Sequence, residues 1–271
     1  MPKKFKGASA VVLGGLVLLV SLHESLAAPP ARGEKPVAVV LGREIPREAL
    51  APDEKTRQSR RAAMKPEEYA RWESSYEVQR LQERVLGPLL KAYAQRKGLE
   101  PTKEELQAFD AASSKGMEES LARTKKDLES LRAELQREDL TPEKRRALQA
   151  RLESAEQVVR LLSEDVDRAP SMGAKGSDMV ARSMVLSWKT QRALHREYGG
   201  DIIFQQSGPE AVGAYLPFLE ERQKAGDFKL LDEELSRRFW EHVRKAPGIR
   251  IKQDALETPW WLKKPEPSPK R

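Results

Sequence analysis

The stretch "YGGDIIFQQSGPE" (residues 198–210) sets two glycines, an acid, a short apolar run and a Gly-Pro pair within thirteen positions. Whether it is an active-site loop or a joint between helices decides how the C-terminal third folds. Paired glycines stop a helix, so Gly199 and Gly200 are read as the end of the preceding one. Ile202 to Phe204 is too short a run for a helix and reads as an extended segment crossing the core. Ser207-Gly208-Pro209 then launches the next helix, with Pro209 and Glu210 in its first turn and its end near Lys224. Backbone N–H groups at such a joint could hold an anion, but the glycine spacing matches neither a P-loop nor a dinucleotide fingerprint. The scaffold reading is preferred.

Upstream, Val180, Met184 and Trp188 recur on one helical face that His195 joins. Downstream, Gly226 ends one helix and Asp232 caps another that carries Leu235, Phe239, Trp240 and Val243. In "PGIRIKQD", Ile249 and Ile251 alternate with Arg250 and Lys252 as a short half-buried strand does. The tail "ETPWWLKKPEPSPKR" carries three prolines after its tryptophans. Disorder is expected from about Lys264, with Trp260 and Trp261 docking on the core.

At the other end, Lys3, Lys4 and Lys6 precede an uncharged apolar run over 8–22, and "ESLAAPP" follows it. This is the pattern of a secretory leader cleaved after Ala27 or Ala28, with a retained N-terminal anchor as the alternative. The run is short for a membrane span and ends at Pro29 and Pro30. The expectation is therefore an exported protein, periplasmic if its source has two membranes, with no stable span after cleavage. There is no cysteine, which excludes disulfides, thiolate metal sites and a lipoprotein. Loss of 1–27 leaves 46 basic and 41 acidic residues, a net charge of +5. These charges lie in mixed-sign runs such as "RTKKDLESLRAELQRED" and not in a basic stripe, so a nucleic-acid partner is not expected. With 34% charged and 6% aromatic residues, the composition suits long solvated helices around a small core.

The middle of the chain carries two heptad-like stripes. Leu121, Leu128, Leu131 and Leu135 form one; Leu148, Leu152, Ala155, Val159, Leu162 and Val166 form the other. Between them Thr141 can cap a helix beginning at Pro142. The pattern predicts an antiparallel helical hairpin over 116–168, followed by a flexible linker in "APSMGAKGSD".

In the N-terminal third, "VAVVLGREIPREAL" reads as a β-branched run at 37–41, a turn at Gly42, an extended step at Ile45-Pro46 and a short helix at 47–50. Residues 51–73 are charged and helix-compatible with a weak apolar face. Val78, Leu81, Val85, Leu89, Ala92 and Tyr93 then recur at helical spacing until Gly98. "LEPTKEELQAF" restarts a helix, Thr102 and Glu105 forming a capping box. "VAVVLGREIPREAL", an apolar helix and "LLKAYAQRKGLEPTKEELQAF", in that order over about a third of the chain, resemble the N-terminal chaperone module of the SurA and PrsA group of extracytoplasmic folding factors. Gly87-Pro88 departs from that pattern by interrupting the main helix, where a proline is expected to kink or restart it. "GGDIIF" is similar to the Gly-Gly-Asp step of the parvulin prolyl isomerases that accompany such modules. The "HIL" strand opening is missing and the Leu-rich hairpin occupies that domain's place, so isomerase activity is not expected.

The resemblance implies a mainly α fold: a SurA-like helical chaperone module built from 35–112 and 178–255, with the hairpin inserted and 256–271 as tail. A strand cannot leave its backbone groups unpaired, and the resemblance implies that C-terminal sequence returns to complete the module. Residues 249–252 are therefore expected to pair with 37–41, a two-strand β element joining the termini. The function implied is a holdase for unfolded or envelope polypeptides, with no cofactor and no metal, binding through an apolar cleft. Tyr93, Trp188, Phe204, Tyr215, Phe218 and Trp240 are its candidate peptide-binding residues. The alternative is an envelope structural or adaptor protein using the hairpin as its contact surface. His195 and His242, the two histidines beyond the leader, sit on apolar helix faces as packed residues do. There is no HExxH and no GxSxG, and the acid pairs Glu104-Glu105 and Asp232 to Glu234 suit helix N-termini, so no catalytic residues are assigned.

Overall fold

A computed structural model of the chain describes residues 35–168, 173–205, 207–245 and 248–263. The expected leader, residues 169–172 of the expected linker and the tail beyond Lys263 lie outside them. The described chain is mainly α-helical, with small antiparallel sheets. It divides into two compact units, one from the residues up to Leu90 together with Ala193–Ala255, the other from Lys91–Arg192 and the residues from Leu256 on.

The first unit holds both sheets. β1 (Ala38–Val40) turns through Leu41 and Gly42, both with positive φ (48° and 78°), into β2 (Arg43–Ile45). Two positive φ values in a two-residue loop match the twist of a hairpin, and Gly42 is the residue that takes one without strain. The other edge of β1 pairs with β5 (Phe228–Leu230), in the register Ala38↔Leu230 and Val40↔Phe228. The second sheet places β3 (Ile202–Gln205) between β4 (Gly208–Glu210) and β6 (Arg250–Ile251).

These pairings correct the expected joining of 249–252 to 37–41. Both edges of β1 are taken, and β6 pairs instead with β3, Ile202↔Ile251 and Ile203↔Arg250. The true partner of β1, "FKL", is a three-residue strand with too little alternation to read from sequence. A second correction concerns Pro209 and Glu210. They lie in β4, not in a helix, and α6 begins only at Tyr215 and runs to Lys224. Pro209 is tolerated because β4 is an edge strand and need not donate on both sides.

Around the sheets, α1 (Glu54–Ala63) buries no residue. Asp53 caps it, and the Arg60 and Arg61 guanidinium groups lie 5.6 Å and 5.1 Å from the ring centres of Trp72 and Tyr69. α2 (Pro66–Arg96) passes unbroken through Gly87-Pro88, correcting the expected interruption. Val85, Leu86 and Leu89 are all buried about the proline. Burying such side chains contributes roughly 1.5–3 kcal/mol each, which offsets the roughly 3 kcal/mol that an interior proline costs. In α7 (Glu233–Arg244) Asp232 caps as expected, its side chain accepting from the Leu235 N–H. Arg47 bridges Glu77 and Asp232, and Arg238 donates to the same Glu77 at 2.9 Å, so α2, α7 and the turn after β2 share one ion network. Phe218, Phe228 and Phe239 are fully buried.

The second unit is built on α3 (Lys103–Leu135), which starts at the Thr102–Glu105 capping box. It does not break near 116, so the hairpin's first helix continues the helix that begins at 103; Gly116 alone is too weak a signal to end it. At 33 residues it is about 50 Å long. α4 (Pro142–Arg168) returns antiparallel, with Leu128, Leu131 and Leu148 buried. Residues 173–178 of the expected linker are helical, because α5 (Gly173–Tyr198) begins at Gly173. On α5 Ala181, Val185, Trp188, Thr190, Gln191 and Leu194 are buried, whereas Val180 is 43% exposed. Of the expected face Trp188 is buried and Met184 packs on the core, but Val180 is replaced there by Ala181 and Val185. At the arm's base Leu106 and Phe109 pack with Ala181, Val185, Met184 and Trp261.

Thr141 caps α4 through the Lys144 N–H at 3.3 Å. Thr141→Ala is expected to cost about 1 kcal/mol of hairpin stability, read as a lower urea midpoint by far-UV circular dichroism. An unchanged midpoint would show that the cap contributes nothing.

Candidate functional site

Side chains alternate across a strand, so in the β4-β3-β6 sheet Ile202 and Phe204 share one face with their cross-strand partners Ile251 and Pro209. Continuing the register brings Ile249, one residue before β6, level with Phe204. Ile202 is fully buried, but Phe204 is 58% exposed and Ile249 88% exposed. A single apolar strip therefore begins in the core and runs out onto the surface. Exposed aromatic and branched side chains contiguous on one face of a sheet with an open edge mark a place where an apolar segment can add.

The opposite face carries Ile203, Glu210 and Arg250. Glu210 accepts a 2.5 Å hydrogen bond from the Tyr215 hydroxyl, and burial pushes its carboxyl above the usual range, the tyrosine bond opposing this in part. Arg250 pairs with Asp201 at 3.1 Å. The glycines of the opening stretch serve this geometry. A Cβ on Gly200 would lie 2.5 Å from the Gly213 carbonyl carbon, and one on Gly213 would lie 2.1 Å from the Asp201 nitrogen. The close approach is fastened by the Gly213 N–H donating to the Asp201 carbonyl at 2.9 Å. The stretch is a joint. Tyr198, at the end of α5, donates to Glu221 at 2.8 Å; burial first, then that carboxylate, push its hydroxyl up to about 12.

The six candidate peptide-binding residues are divided between the two units. Tyr93 and Trp188 belong to the second unit, the other four to the first. Tyr93, Trp188, Tyr215 and Phe218 are buried. Trp240 is half-buried against Phe228 and Phe239, with Arg244 over its ring. Aromatics on the single apolar face of a helix are core residues first, and these five are. Phe204 is the one that is largely exposed. The sequence pattern marks Ile249 and Ile251 as a strand but not which strand they join, and nothing in it marks Gly213.

Among the imidazole and carboxylate groups, His195 and Glu105 have structural partners. His195 Nε2 meets Gln253 Oε1 at 2.8 Å, and burial holds the half-buried His242 below the usual range, with Lys245 adding to the effect. Glu105 sits below the usual range although burial opposes it, because Lys189 and the Thr102 N–H outweigh that cost. Among the described residues no cluster of three metal-ligating side chains occurs, and no helix is long and apolar enough to cross a membrane. On the arm, Lys125, Leu128, Glu129, Arg132, Glu156, Val159 and Arg160 line a shallow groove of about 330 Å³.

The raised Glu210 carboxyl has a stability consequence. A group whose folded pKa exceeds its unfolded value contributes stability at pH below the unfolded value, about 4.5 here, and loses it as pH rises through the raised folded value. Glu210→Gln keeps an acceptor for Tyr215 and removes the buried charge. It is expected to melt higher than the wild type at neutral pH, the gap closing below about pH 4.5; a gap independent of pH would reject this.

No protein-family model, no curated protein and no solved structure matches the chain.

Proposed function

We propose that this protein is an exported holdase that receives extended apolar segments of unfolded polypeptides on the Phe204–Ile249 strip. The observation that carries the reading is the continuity of that strip with the core: Ile202 inside, Ile251 half-buried, Phe204 and Ile249 exposed, along one small sheet. An incoming strand would meet apolar side chains on that face and the outer backbone edge of β6, the usual chemistry of strand addition. The resemblance of "VAVVLGREIPREAL" and "KAYAQRKGLEPTKEE" to the SurA and PrsA chaperone module supports the same reading, and the pattern of the first 27 residues supports export. Nothing in it requires a bond to be made or broken, a nucleotide or a metal.

The test is suppression of aggregation of a chemically unfolded client, followed by light scattering, with the double variant Phe204→Ser/Ile249→Ser. Both side chains are exposed, so the variant is expected to melt within about 1 kcal/mol of wild type and to lose most of the suppression. A wild type that suppresses nothing, or a double variant that suppresses equally well, would reject the reading. The envelope adaptor reading rests on the arm groove. It predicts instead one stable partner whose capture is lost when 120–167 is deleted.

A further inference from the structure

The arm groove has a charge order that a second copy of the same chain would complement. On α3 a cation precedes an acid, Lys125 then Glu129; on α4 an acid precedes a cation, Glu156 then Arg160. Because the helices are antiparallel, both pairs read the same way along the arm, positive nearer its base and negative nearer its tip; Arg132, which also lines the groove beyond Glu129, is paired with Glu156. All four side chains are exposed, and Leu128 and Val159 lie in the same groove. Glu156 is engaged through Oε1 by Arg132 at 2.8 Å, and no ion pair among the described residues involves Lys125, Glu129 or Arg160.

Two such arms laid groove to groove can run parallel or antiparallel. Parallel arms set positive against positive and negative against negative. Antiparallel arms about a two-fold axis set Lys125 against Glu129 of the other copy and Glu156 against Arg160, each pair occurring twice, and bring the apolar floors together. A two-fold contact is self-complementary in this way, and like charges opposed across it would select against the wrong orientation. A two-helix hairpin also leaves both sides of its apolar seam half-covered, and four helices close it. The geometry points to an antiparallel homodimer formed through the α3–α4 arm, a four-helix bundle across the groove. This does not depend on the holdase reading, because Phe204 and Ile249 are in the other unit.

Sedimentation equilibrium of the purified protein tests it. The wild type is expected to be a concentration-dependent dimer that weakens with added salt. K125E/R160E opposes acid to acid at all four contacts and is expected to raise Kd at least about tenfold, with helicity unchanged. K125E/E129K reverses the order on α3 alone and leaves the Arg132–Glu156 bond intact. It is expected to self-associate, because in a pair of variant chains the exchanged charges at positions 125 and 129 still meet their opposites. It is expected to form few mixed dimers with a labelled wild type, where the same positions oppose like charges. A wild type that stays monomeric throughout, a Kd unmoved by K125E/R160E, or mixed dimers as abundant as self-pairs would each overturn the inference.

Discussion

Gly213→Ala is expected to destabilise the first unit by about 3 kcal/mol or more. The new Cβ would lie 2.1 Å from the Asp201 nitrogen and 2.7 Å from the Gly200 carbonyl carbon. Both are backbone atoms, so no side chain can rotate away, and relief requires the chain to separate where Gly213 N–H donates to Asp201 O. That separation would shift β3 at its first residue and with it the pairing to β6. In a domain of this size the loss corresponds to a fall in Tm of roughly 10 °C. Gly116→Ala is the control. It lies within α3 with open space where the Cβ would go, and should stabilise by about 0.5–1 kcal/mol. A Gly213→Ala protein that melts with the wild type would mean that the joint at 198–213 is not tight.

Removing Trp261 is expected to have the next largest effect, at the base of the arm. Its ring stands edge-on to Phe109 at 5.1 Å and to Trp188 at 5.7 Å. The same C-terminal segment accepts the Trp188 indole N–H on the Leu256 carbonyl at 3.1 Å and places Glu257 against Arg192 at 3.4 Å. The segment thus straps α3 to α5, a contact between residues far apart in sequence. Trp→Ala in a well-packed site costs about 3–5 kcal/mol; for a ring that keeps some exposure about 2 kcal/mol is expected. The comparison that isolates it is truncation after Thr258 against truncation after Leu262. The first should lower the melting temperature and open hydrogen exchange at Phe109 and Val185, and the second should leave both nearly unchanged. Equal melting of the two truncations would show that the tryptophans add nothing.

Local chemistry was legible without the fold. The caps expected at Thr102 with Glu105, Thr141 before Pro142 and Asp232 three residues before Leu235 are all made, whereas the Asp53 cap of α1 is not among the expectations. The Leu41-Gly42 turn, the short helix at Arg47–Leu50 and the paired stripes of the arm follow for the same reason. Each cap, turn and stripe is set by residues within about one turn of one another along one element, so periodicity and turn preference carry it.

What only the tertiary structure decided is long-range. β1 chose β5 over β6, because a strand of two or three residues has almost no side-chain pattern of its own and pairs with whatever edge packing brings alongside. Packing likewise turned the aromatic residues Tyr93, Trp188, Tyr215 and Phe218 inward and left Phe204 out. Period two says that Ile202 and Phe204 share a face, but not where along that face the core stops. In sequence Gly213 resembles any loop glycine; only the fold brings Asp201 within bonding distance of it. In each case the deciding partner lies ten to nearly two hundred residues away, where no local preference reaches and steric fit among packed atoms makes the choice.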